Sequence, residues 1–447
     1  MTKFSITMFV PLLLAAASSA SSQRPQPEAT PPGATALAGT FDAAARRAIV
    51  ARLSEELRDR YVFPETGERA ATRISAALAA GEYDGLADPA EFIQRLSADV
   101  HAIARDRHLN IMSPTAPPPP GDPIMMPVDE GGVTRADRLA GGIGYIEVVG
   151  FPPLGDFKPV LDRAMSGLRN SRALIVDVRR NGGGMPESVA YLVSYLVEPD
   201  RPINTIVSRV PGTTDFERQS YSSVPTPVSF DRVPVFVLTS RETFSGGEEF
   251  AYDVQALERG TIIGEVTGGG ANPTGPVDLG HGVMASIPFG RAENPVTHAN
   301  WEGRGVQPDV AAAANDAFGV ALRRAGQEPV GDIEAASVER LFAPRSTPLP
   351  GYEAAIRRLV VGFVSGEPDY SIMAPEFADR TRGELSRLRA DFSPLGELRS
   401  IRFRRPLMGG DEFELTFANG IRLMPILLDP NGKIIAMLPP IPAPAGN

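Results

Sequence analysis

A hydrophobic run, Val233-Pro234-Val235-Phe236-Val237-Leu238, leads through a short polar turn into Ser245-Gly246-Gly247-Glu248-Glu249-Phe250, where an amphipathic helix begins. A strand that hands over to a helix this abruptly restricts the chain to layered α/β architectures. It also sets Ser245 at the helix N-terminus, beside the amides of Gly246 and Gly247 at the positive end of the helix dipole. A hydroxyl next to anion-stabilising amides is what acyl transfer requires. The plainer reading is a helix cap, because Ser is a common N-cap and Glu248, three residues on, completes a capping box.

The same alternation recurs. Ile143 to Val149 reads as a strand and Val160 to Leu168 as an amphipathic helix. Ala173 to Val178 is a continuous apolar strand of the kind buried on both faces, followed by Asn181-Gly182-Gly183-Gly184 and a helix from Glu187 to Leu196. Strand 233–238, helix 246–257 and strand 261–263 continue the pattern, so a sheet flanked by helices is expected over 136–318. Ahead of it, Ile49, Leu53 and Leu57, then Ile74 and Leu78, then Ile93, Leu96, Val100 and Ile103 recur at helical spacing and predict a helical domain over 39–112. A proline-rich linker occupies 113–135 and a second linker 319–350. The last unit, 351–447, opens with helices and ends in strands that predict an α+β domain, and it has no residue cluster that suggests chemistry.

At 447 residues the chain suggests two or three domains. Its net charge of −10, without a basic stripe, argues against nucleic acid or an anionic membrane as partner. Residues 1–20 combine Lys3, an apolar run and a small-residue ending at Ala20, the pattern of a cleaved export signal. Residues 21–38 are a proline-rich leader. The expected location is therefore periplasmic or secreted, with no integral membrane segment after signal cleavage. Cysteine is absent, which excludes disulfides.

A serine hydroxyl needs a base. The only lysines are Lys3, Lys158 and Lys433, none of them well placed, so histidine is the default among His101, His108, His281 and His298. His108 lies in Asp106-Arg107-His108-Leu109, at the edge of the helical domain, where a lone histidine is more often structural. Glu302 in Trp301-Glu302-Gly303-Arg304 could orient a histidine, although pairing with Arg304 is the simpler expectation. The glycine turn at 182–184 lacks the ending of a phosphate-binding P-loop. With no cysteine, scattered histidines and no HExxH, neither a metal motif nor a cofactor motif is visible.

Five ordered blocks resemble the tail-specific, or C-terminal processing, serine peptidase family: Gly144-Tyr145-Ile146, Ile175 to Gly184, Val233 to Ser245, Gly264 to Gly270, and Gly305-Val306-Gln307-Pro308-Asp309. The resemblance implies a ClpP/crotonase-like αβ spiral core, a peptide or protein substrate and Ser245 as nucleophile. One departure matters. Where the tail-specific branch carries its lysine, this chain reads Thr267-Gly268-Gly269-Gly270-Ala271, and no room exists for a PDZ domain between His108 and Gly142. The chain is instead similar to the branch of interphotoreceptor retinoid-binding protein, the nisin-resistance proteases and the tricorn core. Tyr61-Val62-Phe63-Pro64 and Asp106-Arg107-His108-Leu109 match elements of that branch. It implies His108 as base, Glu302 as its assistant, Gly246 and Gly183 as oxyanion donors, and Glu248 in support. It also leaves open a hydrophobic-ligand carrier without catalysis, or an esterase or amidase. The final domain resembles a cystatin-like or SnoaL-like α+β cone. The resemblance specifies neither substrate nor oligomeric state.

Overall fold

The computed structural model describes residues 41–112, 131–328, 345–407, 410–428, 432–437 and 441–442. The expected signal, leader and most of the first linker lie outside these. Three helices come first: α1 (Ala43–Arg60), α2 (Pro64–Ala79) and α3 (Pro89–Ala104). Asp42 caps α1 by accepting from the amides of Ala44 and Ala45 at 2.8 and 3.0 Å, and Asp88 caps α3 in the same way. Pro64 and Pro89 occupy first-turn positions, where the missing amide donor costs nothing.

The helical lobe does not close on itself. Its apolar residues Leu53, Leu57, Ile74, Phe92 and Leu96 share one core with Val283, Ala285 and Ile287, which come from far along the chain. The short strand β1 (Asn110–Met112) adds to the edge of a hairpin formed later, with Asn110 opposite Ser286 and Met112 opposite Met284. This pairing fixes the segment just before it, which carries His108.

The central sheet has six strands. In chain order they are β2 (Val133–Leu139), β3 (Ile143–Val148), β4 (Ala173–Asp177), β7 (Val235–Thr239), β8 (Thr261–Gly264) and β12 (Val310–Ala311). Their spatial order is β12-β8-β7-β4-β3-β2, parallel except for β2 at one edge. The period of two sends alternate side chains to two cores. Leu174 and Val176 join Val237 and Ile262 beneath α4 (Leu154–Gly167), α5 (Pro186–Ser194) and α6 (Gly246–Ala256). Ala173, Ile175, Phe236 and Ile263 face α7 (Ala317–Arg324). Burial on both faces explains the unbroken apolar runs.

Two elements differ from the sequence expectations. Helix α4 begins at Leu154 and carries Pro159 and Lys158 inside it, rather than starting at Val160. Helix α7 runs into the segment read as the second linker, because Phe318, Ala321 and Leu322 cover the sheet.

Antiparallel strands complete the core. The strand β5 (Pro202–Arg209) lies between β6 (Phe216–Ser222) and β11 (Gly290–Glu293), and β10 (Val283–Pro288) lies between β9 (Thr274–Gly280) and β1. The last unit has its own core, formed by α8 (Tyr352–Ser365), α9 (Pro375–Phe392) and an antiparallel sheet. That sheet runs in the order β13 (Leu398–Leu407), β14 (Gly410–Phe417), β15 (Gly420–Leu428), β16 (Ile434–Met437), with β17 (Ile441–Pro442) against β15. The chain is thus a mixed α/β protein, helical at its N-terminal side and sheet-rich at its C-terminal side. No described helix is long and apolar enough to cross a membrane.

Candidate active site

Ser245 sits in the turn between β7 and α6 with φ 53° and ψ −120°, a backbone conformation that non-glycine residues rarely adopt. Such strain persists only where the surroundings over-determine it, and it concentrates at functional turns. Here the surroundings are visible. The Phe244 amide donates to the Asn181 carbonyl at 2.9 Å, and the Thr243 hydroxyl donates to the Val178 carbonyl at 2.8 Å. The Ser245 amide donates to the Glu248 carboxylate at 2.9 Å.

Glu248 is fully buried and accepts three further bonds, from the Thr267 hydroxyl and from the amides of Gly269 and Gly270, the last two at 2.6 and 2.8 Å. Its carboxylate therefore ties the nucleophile turn to the glycine loop at 267–270. Burial pushes it up to about 7, against the pull of these donors.

The oxyanion donors need one correction. The Gly183 amide is already taken, donating to the Asn181 side-chain oxygen at 2.8 Å. Among the described residues, the amides of Gly184 and Gly246 have no acceptor within the chain. They are close neighbours: a Cβ built on Gly246 would lie 3.0 Å from the Gly184 nitrogen. The pair that can hold an oxyanion is Gly246 and Gly184, one residue along from the expected Gly183. Gly183 instead packs against Ser245, since a Cβ on it would lie 2.6 Å from Ser245 Cβ and 3.1 Å from its Oγ. Positive φ values of 112° and 139° suit Gly183 and Gly184 to this turn.

His108 arrives from the helical lobe. Its ring packs on Phe244, the residue before Ser245, with centroids 4.7 Å apart. It is 8% exposed, and burial together with the neighbouring Arg107 charge lowers it to about 4, so it rests as neutral imidazole. Its backbone amide donates to Asp106 at 3.0 Å. Among the described residues no hydrogen bond joins the imidazole to the Ser245 hydroxyl, and His108 Nδ1 is buried without a partner.

Asp106 accepts from Tyr61 Oη at 3.1 Å and from the Asn272 amide group at 2.9 Å, and burial raises its pKa. Glu302 accepts from the Ala271 amide at 2.6 Å, while its Oε1 is buried and unpartnered. Burial and the Asp106 charge push Glu302 up to about 8. No ion pair forms between Glu302 and Arg304, which instead donates to the Asn300 carbonyl at 3.2 Å. Asp106, His108 and Glu302 each offer a ligand-type atom, all within 4.8 Å of one another.

The other candidate bases stand apart. His101 bonds the Leu109 carbonyl, His281 and His298 lie in turns with positive φ, Lys158 pairs with Asp162 at 2.9 Å, and Lys433 bonds the Ser371 carbonyl. Asn181, Phe244, Thr267 and Asn272 support the site but were not singled out from sequence. Only Asn181 had a signal, its place at the head of a glycine turn.

Residues 142–312 match the model of peptidase family S41. Residues 42–130 match the N-terminal domain of that peptidase family in eukaryotic IRBP. A tricorn protease homologue of Streptomyces coelicolor is 32% identical over 189 residues, which are 41% of this chain and 14% of that protein. The tricorn protease of Thermoplasma volcanium is 30% identical over 179 residues, 39% of this chain and 15% of that one. The matched part therefore spans about one seventh of these relatives. Among solved structures, the photosystem II D1 C-terminal processing protease superposes with a TM-score of 0.43 and 16% identity, covering 67% of this chain and 97% of that one. The two family matches together take in more than half of the sequence, and the chain belongs to peptidase family S41.

Proposed function

We propose that this chain is an exported serine peptidase. Ser245 Oγ attacks a substrate carbonyl carbon and passes its proton to His108. The Gly184 and Gly246 amides hold the resulting oxyanion. The C–N bond then breaks, and the leaving amine takes the proton from His108. Water, activated by the same imidazole, releases the acyl group and restores the hydroxyl. Glu302 stabilises the histidinium, and Glu248 holds the nucleophile turn. Attack requires the imidazole to come within hydrogen-bond reach of Ser245, which a ring with an unpartnered nitrogen is free to do.

The observation that carries this reading is the strained Ser245 beside two amides with no acceptor among the described residues, with His108 packed against the adjacent ring. The test is cleavage of a peptide library with the products mapped by mass spectrometry. Wild type should yield discrete cleavages, and Ser245→Ala and His108→Ala should yield none. Undiminished cleavage by either variant sinks the assignment.

Export rests on the Lys3-to-Ala20 pattern, and the mature N-terminus recovered from culture should begin after Ala20. The missing Ser245–His108 hydrogen bond favours one competing reading, a carrier of apolar ligands. Tight retinoid-like binding without any peptide cleavage would select it.

A further inference from the structure

The His108 pocket offers a binding chemistry beyond the proton transfer proposed for it. Two buried polar atoms, His108 Nδ1 and Glu302 Oε1, have no partner among the described residues, and both residues belong to the cluster completed by Asp106. Leaving a buried polar atom unpaired is costly, so two in one cluster of three residues call for a ligand.

The geometry points to Asp106, His108 and Glu302 as a binding site for a divalent cation of the zinc type, whose occupation switches off the imidazole. Two carboxylates and one imidazole suit zinc and its borderline neighbours, whereas calcium and magnesium favour all-oxygen shells. Zinc bonds of about 2.0–2.2 Å bring ligand atoms to about 3–3.5 Å apart. Closing from the 4.8 Å limit asks for a side-chain rotation of Glu302, which holds the Ala271 amide through its other oxygen. Asp106 is oriented by Tyr61 and Asn272, the kind of outer support that metal-binding carboxylates have. Two of its members are buried, Asp106 3% exposed and His108 8%, and Glu302 is half-buried. No local motif announces it, because its third member lies far from the other two in sequence.

The chemistry of the switch follows from the ring. Zinc on Nε2 takes the lone pair that would accept the serine proton. Zinc on Nδ1 confines the ring proton to Nε2, which then donates and cannot accept. Either way His108 ceases to be a base. This regulatory half rests on the peptidase reading; the binding half does not.

The experiment is titration of the full chain with zinc chloride by isothermal calorimetry, alongside peptide hydrolysis. Wild type and Ser245→Ala should each bind one equivalent. His108→Ala and Glu302→Gln should each weaken binding at least tenfold, with thermal unfolding near that of wild type. Zinc should slow hydrolysis by wild type, and EDTA should restore it. Absence of binding, or binding untouched by both substitutions, overturns the site. Binding that leaves hydrolysis unchanged overturns the switch. A chain that binds one zinc through these residues but cleaves nothing supports the site while contradicting the peptidase reading.

Discussion

The two halves of the site are built differently. The nucleophile half is over-determined: Glu248 accepts four hydrogen bonds, and Asn181 bonds the Gly183 amide through its side chain and the Phe244 amide through its carbonyl. The base half is under-determined, with His108 Nδ1 and Glu302 Oε1 both buried and unpartnered. One sheet carries the first half. The second is delivered by a helical lobe sewn to the core through three residue pairs between β1 and β10. On the proposed mechanism, position is fixed where the covalent bond would form, and freedom is left where a proton would move.

The largest effects should come from the reacting pair itself. Ser245→Ala and His108→Ala should each lower kcat/KM by at least about 10³-fold, and the double variant should be no worse than either single one. Additive losses would show that the halves do not act as one unit. Next comes the anchor. Glu248→Ala strands four donors, three of them buried, and should destabilise the fold by about 2–4 kcal/mol in urea unfolding, whereas Glu248→Gln should lose less. A smaller effect is expected at Gly270, where an added Cβ would lie 2.4 Å from Phe244 Cζ and 2.5 Å from His108 Cε1. Gly270→Ala should displace the imidazole and reduce kcat by about 10–100-fold with KM little changed, since a small misplacement of a catalytic group is costly. Full activity there would place the working His108 somewhere other than against Phe244.

The smallest expected effect concerns two further carboxyls on α6. Burial pushes Glu249 up to about 7, and Asp253 is raised well above its ordinary value by burial and by Glu249. Both favour the protonated form in the fold. Their stabilisation is complete below the unfolded pKa, about 4. It is lost as pH rises through the folded value. The melting temperature should therefore fall as pH rises from about 4.5 to 7, and Glu249→Gln should flatten that slope. An unchanged slope would assign the pH dependence to other groups.

How much of this could be read from sequence depends on range. The strand-turn-helix at Ser245 is local, so its hydrophobic run and glycines announce it. His108 comes from a lobe whose docking depends on pairing between residues 110–112 and 284–286, which no periodicity reveals. Exclusion narrowed the base to histidine, and resemblance chose among four. The proposed donor moves from Gly183 to Gly184 because the Asn181 side chain captures the Gly183 amide, which the sequence does not announce. Asn272 and Thr267 carried no signal, since their partners, Asp106 and Glu248, lie far away in the chain. Glu302 was read as pairing with Arg304 because sequence shows neighbours, not the Ala271 amide that it meets in the fold.

The most direct test of the account is the rate at which a fluorophosphonate probe labels the protein, with the adduct mapped by mass spectrometry. A single adduct on Ser245, formed at least about a hundredfold faster in wild type than in His108→Ala, is the predicted result. No adduct at Ser245, or equal labelling of the two proteins, would contradict a serine activated by this imidazole.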